Sequence, residues 1–131
     1  MILLDTHAWV WWLGEPECLS SEARERIEHA ASQNEVYVSS ISVWEVAMLV
    51  ERGRLKLALD VGDWIQHAES LPFIHYVPVD NRIAFRSVTL PEPFHRDPAD
   101  RIIVATALIL GADLTSKDER IQAYPFVKAV W

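Results

Sequence analysis

The sequence predicts an α/β fold: a three-layer α/β/α sandwich around a central parallel sheet of four to five strands. Three observations carry that expectation. Short apolar runs rich in Val, Ile and Leu alternate with longer stretches whose apolar residues recur every three to four positions. The short runs are apolar almost throughout, as strands covered on both faces are. Helix-length segments separate them, so the connections read as right-handed βαβ crossovers.

The elements follow in order. Ile2-Leu3-Leu4 is the first strand, ending at Asp5. A helix from about Thr6 to Leu13 follows, with Thr6 able to cap it. Ser20-Ser21 precede a polar helix to about Ser32, with Ala23, Ile27, Ala30 and Ala31 on one face. Val36-Tyr37-Val38 is the second strand. The next helix is expected over about 43–52, with Val43, Val46, Ala47 and Val50 as its inner stripe and Gly53 closing it. Val61, Trp64, Ile65 and Ala68 repeat that spacing near 61–69. His75 to Val79 reads as a strand, and Pro78, lacking an N–H, places it at a sheet edge. A helix near 81–89 uses Ile83, Ala84, Ser87 and Val88. Pro91, Pro93 and Pro98 bracket a rigid loop, and a nearly all-apolar helix runs from Pro98 to Leu110, stopped by Gly111. Ala112 to Thr115 is the fourth strand, a helical turn comes at 117–122, and Val127 to Val130 is the candidate fifth strand.

Composition narrows the classes. The chain has 131 residues, which suits one domain at roughly 100–200 residues each. Half the residues are hydrophobic, which excludes disorder. No apolar run reaches the roughly 18 residues of a membrane span. The start, Met1 to Asp5, lacks a basic region, so no signal peptide is expected. The single Cys18 makes a reducing cytoplasm the expected location. The net charge is −7, and it is uneven: residues 1–51 hold 9 acids and 2 bases, residues 52–131 hold 10 of each. Bulk acidity argues against a protein that coats nucleic acid.

The acids gather at one edge of this sketch. Asp5 ends the first strand, and Glu45 lies in the first turn of the helix after the second. Asp100 opens the helix that leads into the fourth strand, and Asp118 follows that strand. In such sheets ligands bind outside the carboxyl ends of the strands, and all four acids fall there. Carboxylates crowded together raise one another's pKa unless a cation intervenes. An all-oxygen cluster suits Mg²⁺ or Mn²⁺ and disfavours Zn²⁺. One or two such ions activate water and stabilise the leaving oxygen in phosphodiester hydrolysis. Asp5, Glu45, Asp100 and Asp118 are therefore the candidate catalytic and metal-binding residues. Each also has a helix-capping reading. Ser42 to Glu45 matches a capping box, and Asp97-Pro98-Ala99-Asp100 places Asp97 at an N-cap. Asp97 competes with Asp100 for the third ligand role, with Asp100 favoured.

Four segments carry a family resemblance: Ile2-Leu3-Leu4-Asp5-Thr6-His7; Ser40 to Ala47, with Glu45; Asp97 to Ala107, with Asp100; and Leu114-Thr115-Ser116-Lys117-Asp118. In order and spacing the chain resembles a PIN domain, most closely the VapC-type toxins of bacterial toxin–antitoxin pairs. The likeness implies a PIN-like fold over 1–131 and active-site acids at Asp5, Glu45, Asp100 and Asp118. It also implies Mg²⁺- or Mn²⁺-dependent endoribonuclease activity, a homodimer, and inhibition by a cognate antitoxin. Ser116 fills the position where many members carry Thr or Ser two residues before the last acid. With Thr6 and Asp97 it forms a set of secondary candidates.

Two other readings compete with this one. A haloacid-dehalogenase-like phosphatase needs a second Asp two residues after the first, and His7 stands there. A catalytically silent PIN-fold interaction module would have no need of the acid quartet. Arg96, Arg101 and Lys117, with Arg120, flank Asp100 and Asp118 and are candidate phosphate contacts, which would position RNA without reading its sequence. Ordinary surface pairing is the competing reading. The five His residues show no ligand spacing, and His95 lies in the proline loop beside the site. Trp9, Trp12 and Leu13 can face the sheet while Trp11 points elsewhere, so Trp11 is expected to meet the antitoxin or the second subunit.

Overall fold

The computed structural model describes residues 1–131 and contains one five-stranded sheet. Its strands are β1 (Ile2–Leu4), β2 (Val36–Ser39), β3 (Ile74–Val77), β4 (Asp113–Thr115) and β5 (Ala129–Val130). The order is β3-β2-β1-β4-β5, and every pairing is parallel. The helices are α1 (Thr6–Gly14), α2 (Ser21–Ser32), α3 (Ser40–Glu51), α4 (Val61–Ser70), α5 (Asn81–Val88), α6 (Pro98–Leu110) and α7 (Glu119–Gln122), with a 3-10 turn at Pro16–Cys18.

Side-chain alternation along the strands makes the layers. Ile2 and Leu4 point into one core with Val36 and Val38, where α1, α2 and α4 add Trp9, Ile27 and Trp64. Leu3 points the other way with Leu114, against Ile83 of α5 and Ile103 of α6. All three residues of β1 are at most 2% exposed. Burying each such side chain is worth about 1.5–3 kcal/mol, so a three-residue central strand is well held.

Local chemistry moves several boundaries. The carboxylate of Asp5, not Thr6, caps α1, accepting the Ala8 N–H at 2.9 Å. Helix α3 begins at Ser40 rather than near Val43. Ser39, the last residue of β2, is also the N-cap, its hydroxyl accepting the Ile41 N–H at 3.2 Å. Strand and helix therefore join without a loop. Glu45 then lies in the second turn, and the capping-box reading of Ser42 and Glu45 falls. Strand β3 sits at the sheet edge, as Pro78 requires, but it ends at Val77 and excludes the proline. Helix α6 opens and closes as its sequence indicates. Asp97 caps it through the Asp100 N–H at 3.1 Å, Pro98 follows, and Gly111 ends it at φ 68° in the left-handed region that glycine tolerates.

Candidate active site

From β1 the chain steps one way to β2 and β3, and later returns to the other side of β1 for β4 and β5. The switch point thus lies between β1 and β4, where open α/β sheets form a crevice at the carboxyl ends of the strands. Asp5 follows β1 there, its N–H bonded to the Thr115 carbonyl at 3.1 Å. Ser116 follows β4, fully buried, its hydroxyl accepting the Asp118 N–H at 3.1 Å. The first and last acids are fixed by the same strand pairing.

Asp5 is 9% exposed, and burial pushes its carboxyl pKa up to about 6. Ser116, the Ala8 N–H and His7 pull against that shift, while Asp100 adds to it. Glu45 reaches in from α3 and bonds the Thr6 hydroxyl, whose oxygen is also 2.9 Å from Ser42 Oγ. A hydroxyl has one proton, so with Glu45 ionised Thr6 donates to Glu45 and accepts from Ser42. Burial, then the charges of Asp100 and Asp97, raises Glu45 above the usual carboxylate range. Asp100, in the first turn of α6, lies with Oδ2 2.7 Å from His95 Nε2. Burial raises it too, helped by Asp97 and Asp118 and opposed by His95. Asp118 caps α7 and is the exception. Arg120 donates to its two oxygens at 3.3 and 2.9 Å, besides its backbone N–H at 2.8 Å, and holds its pKa down.

All four acids line one cleft of about 610 Å³, shared with Thr6, Asp97 and Lys117. His7, Trp11 and Arg120 complete its walls. Arg96 and Arg101 do not join them and line a separate hollow. The Arg101 guanidinium donates to the carbonyls of Ser87 at 2.7 Å, His95 at 3.1 Å, Phe94 at 3.2 Å and Val88 at 3.4 Å. Its side chain is 11% exposed, so its donors tie the proline loop to α5 rather than face a phosphate.

A family model described as PIN domain matches residues 2–127. The chain belongs to the PIN-domain family. This PIN domain is 39% identical over 132 residues to Ribonuclease VapC22 of Mycobacterium tuberculosis, a match covering 99% of this chain and 98% of that protein. It is therefore of the VapC type. Among solved structures, VapBC2 from Rickettsia felis bound to a promoter DNA fragment matches with a TM-score of 0.71 at 16% identity, covering 98% of this chain and 97% of that one. A toxin–antitoxin complex from Klebsiella pneumoniae matches at 0.66 and 21%, covering 97% and 95%. FitAcB from Neisseria gonorrhoeae matches at 0.65 and 23%, covering 98% and 96%. These three likenesses are of fold.

The donor set of the PIN domain fits a hard cation. It offers oxygen ligands from buried Asp5 and half-buried Glu45 and Asp100, and the charge of Asp100 raises the other two. As positioned, no three of its His, Cys, Asp and Glu side chains converge on one point. Each acid is turned toward a protein donor instead: Asp5 to Ala8, Glu45 to Thr6, Asp100 to His95, Asp118 to Arg120. Rotation of these side chains would be needed to grip an ion.

Sequence spacing assigns no site role to His7 or His95, because no motif relates them to the acids. The structure puts His7 on the cleft wall, and His95 reaches Asp100 from an adjoining hollow. Arg120 carries a weak signal, standing two residues after an N-cap acid.

Proposed function

We propose that this chain is a ribonuclease toxin that hydrolyses RNA phosphodiester bonds with Mg²⁺ or Mn²⁺ and is held in check by a cognate antitoxin. The observation that carries this reading is the convergence of Asp5, Glu45, Asp100 and Asp118 on the switch-point crevice from four separate elements. The VapC-type relationship supports it.

Asp5, Asp100, Asp118 and Glu45 would hold one or two divalent ions. Bound there, the metal supplies a nucleophilic water at neutral pH and charge stabilisation for the leaving oxygen. The protein's own groups set up the rest. Thr6 orients Glu45, and Ser116 holds the turn that presents Asp118. Asp97 keeps the start of α6 in place and adds negative potential. Lys117 lies on the cleft wall where a phosphate would approach. A basic side chain from the antitoxin suits the same acid cluster and would block it. We further propose a homodimer in the cytoplasm, from the family resemblance and the lone Cys18.

The test is cleavage of single-stranded RNA by the purified protein with Mn²⁺, against Asp5→Asn and Asp118→Asn. Cleavage is expected from the wild type and to fall by at least about a hundredfold in each variant, as for loss of a group that stabilises the transition state. Cleavage that persists in both variants overturns the assigned site. No cleavage by the wild type under any divalent ion favours a silent interaction module.

A further inference from the structure

Trp11 packs against the edge of the core that encloses Trp9 but is not enclosed by it. Trp9 is fully buried, whereas Trp11 is half-buried and lines the acid cleft. It stands one helical turn after His7 on α1, and both side chains face that cleft. Their rings are 5.5 Å apart, and Trp131 at 5.9 Å props the indole from another side. The ammonium of Lys117 lies 5.8 Å from the indole centroid. Lys117 makes no ion pair in the molecule, and its side chain is exposed. The cleft's other strong base, Arg120, is engaged by Asp118.

An indole with an exposed ammonium over its ring and no carboxylate paired to it forms one wall of an otherwise acidic cleft. Packing on the core and a cation–π contact, worth about 0.5–1 kcal/mol at an exposed site, account for part of this arrangement, but neither requires the indole to border an open polar cavity. The pair does match a nucleotide. The indole offers a stacking surface that any base can use, and the ammonium offers a counter-charge to the adjoining phosphate.

We infer that Trp11 and Lys117 form a nucleotide subsite that stacks one unpaired base and pairs its phosphate beside the acid cluster. This rests on the proposed ribonuclease reading and deepens it: the substrate is single-stranded at that position, with little preference for which base. A base within a duplex presents no free face to the indole, so duplex RNA is excluded from the subsite.

The test measures binding apart from cleavage. Asp5→Asn serves as the background, and a fluorescein-labelled eight-nucleotide single-stranded RNA is titrated without divalent ions, with anisotropy as the readout. Adding Trp11→Leu is expected to weaken binding by about five- to a hundredfold, the range for loss of one base stack, and Trp11→Phe to restore most of it. Lys117→Ala is expected to lower the slope of log affinity against log salt by about 0.7, one single-strand phosphate contact. In a series of RNAs with one abasic site moved along the chain, one position is expected to weaken binding to the background but not to the Trp11→Leu protein. Equal binding by the background and a folded Trp11→Leu protein overturns the subsite, and so does a Trp11→Leu effect confined to a protein partner. If Trp11→Leu does not fold, Trp11→Phe, Lys117→Ala and the abasic series decide, and no abasic position sensitive in the background overturns the inference. Wild-type cleavage separates the two readings: a cleaving wild type with none of these effects sinks the subsite alone, whereas a wild type that neither cleaves nor binds RNA sinks the ribonuclease reading with it.

Discussion

The Thr6 hydroxyl of α1 ties the Glu45 carboxylate of α3 into the cleft, and the same oxygen meets Ser42 Oγ at 2.9 Å. Thr6 is 3% exposed and Ser42 fully buried, so their contact is shielded from water, while Glu45 opens onto the cleft. Thr6→Val keeps the shape and removes the hydroxyl. The variant is expected to lose about 1–3 kcal/mol of stability, because Ser42 and Glu45 are left without a buried partner. RNA cleavage should fall as well, since Glu45 is no longer aimed, and Thr6→Ser should recover both. Thermal melts and cleavage rates check this. A Thr6→Val protein as stable and active as the wild type would show that Glu45 is held by other means.

Asp5 sets a pH dependence with an unusual sign. Its folded pKa of about 6 lies above the ordinary 3.8. The folded state therefore binds the proton more tightly than the unfolded chain does. This group's contribution is most favourable below about pH 4 and is lost as pH rises toward 6. Above pH 6 the ionised, buried carboxylate costs up to about 3 kcal/mol, from 1.36 kcal/mol per pKa unit. Asp5→Asn in EDTA should thus be more stable than wild type at pH 7, with the gap closing near pH 4. Melts at the two pH values measure it, and a gap that is equal at both would contradict the shift.

Metal binding should reverse that cost. Asp5, Glu45 and Asp100 all hold protons more tightly than free carboxylates do, and a cation requires them ionised. Titration with Mn²⁺ near pH 6 is expected to release protons. Calorimetry in two buffers of different ionisation enthalpy reads this release directly. At a hundred times its dissociation constant the ion should add about 2.7 kcal/mol to wild-type stability, and much less to Asp5→Asn. A titration at pH 6 that releases no proton would argue for ligands other than these.

Arg101 is expected to matter for folding rather than for RNA. Its guanidinium serves four carbonyls from α5 and the proline loop. Arg101→Ala should destabilise the protein by about 1–3 kcal/mol, because partly buried carbonyls lose charged donors. Arg101→Lys should rescue little, since an ammonium lacks the planar fork that reaches several acceptors. An unchanged melting temperature with weakened RNA affinity would return Arg101 to the substrate side.

The periodicity of the sequence was enough to place the layers and the parallel sheet, because strands covered on both faces must be apolar throughout. The edge position of β3 followed from one proline. Boundaries were less legible where a polar side chain could serve two neighbours. Ser39, Ser40 and Ser42 all look like caps, and only the end of β2 decides among them. Asp5 and Thr6 pose the same choice at α1. At the site, Asp5, Asp100 and Asp118 were legible because each sits at an element end, whereas Glu45 lies in the second turn of α3, which begins earlier than its spacing suggests. Of the donors that hold the acids, Arg120 had a weak signal two residues after Asp118, whereas His95 meets Asp100 through the path of the proline loop, which no spacing rule encodes.

The pairing of β1 with β4 has a consequence for biosynthesis. Asp5 is made long before β4 (Asp113–Thr115), and its strand waits for that partner before the crevice exists. At about 5–20 residues per second that interval is several seconds or more. No partly made chain holds the four acids together, so the proposed active site cannot form until Asp118 has been added. A partner translated alongside it has that long to be present first.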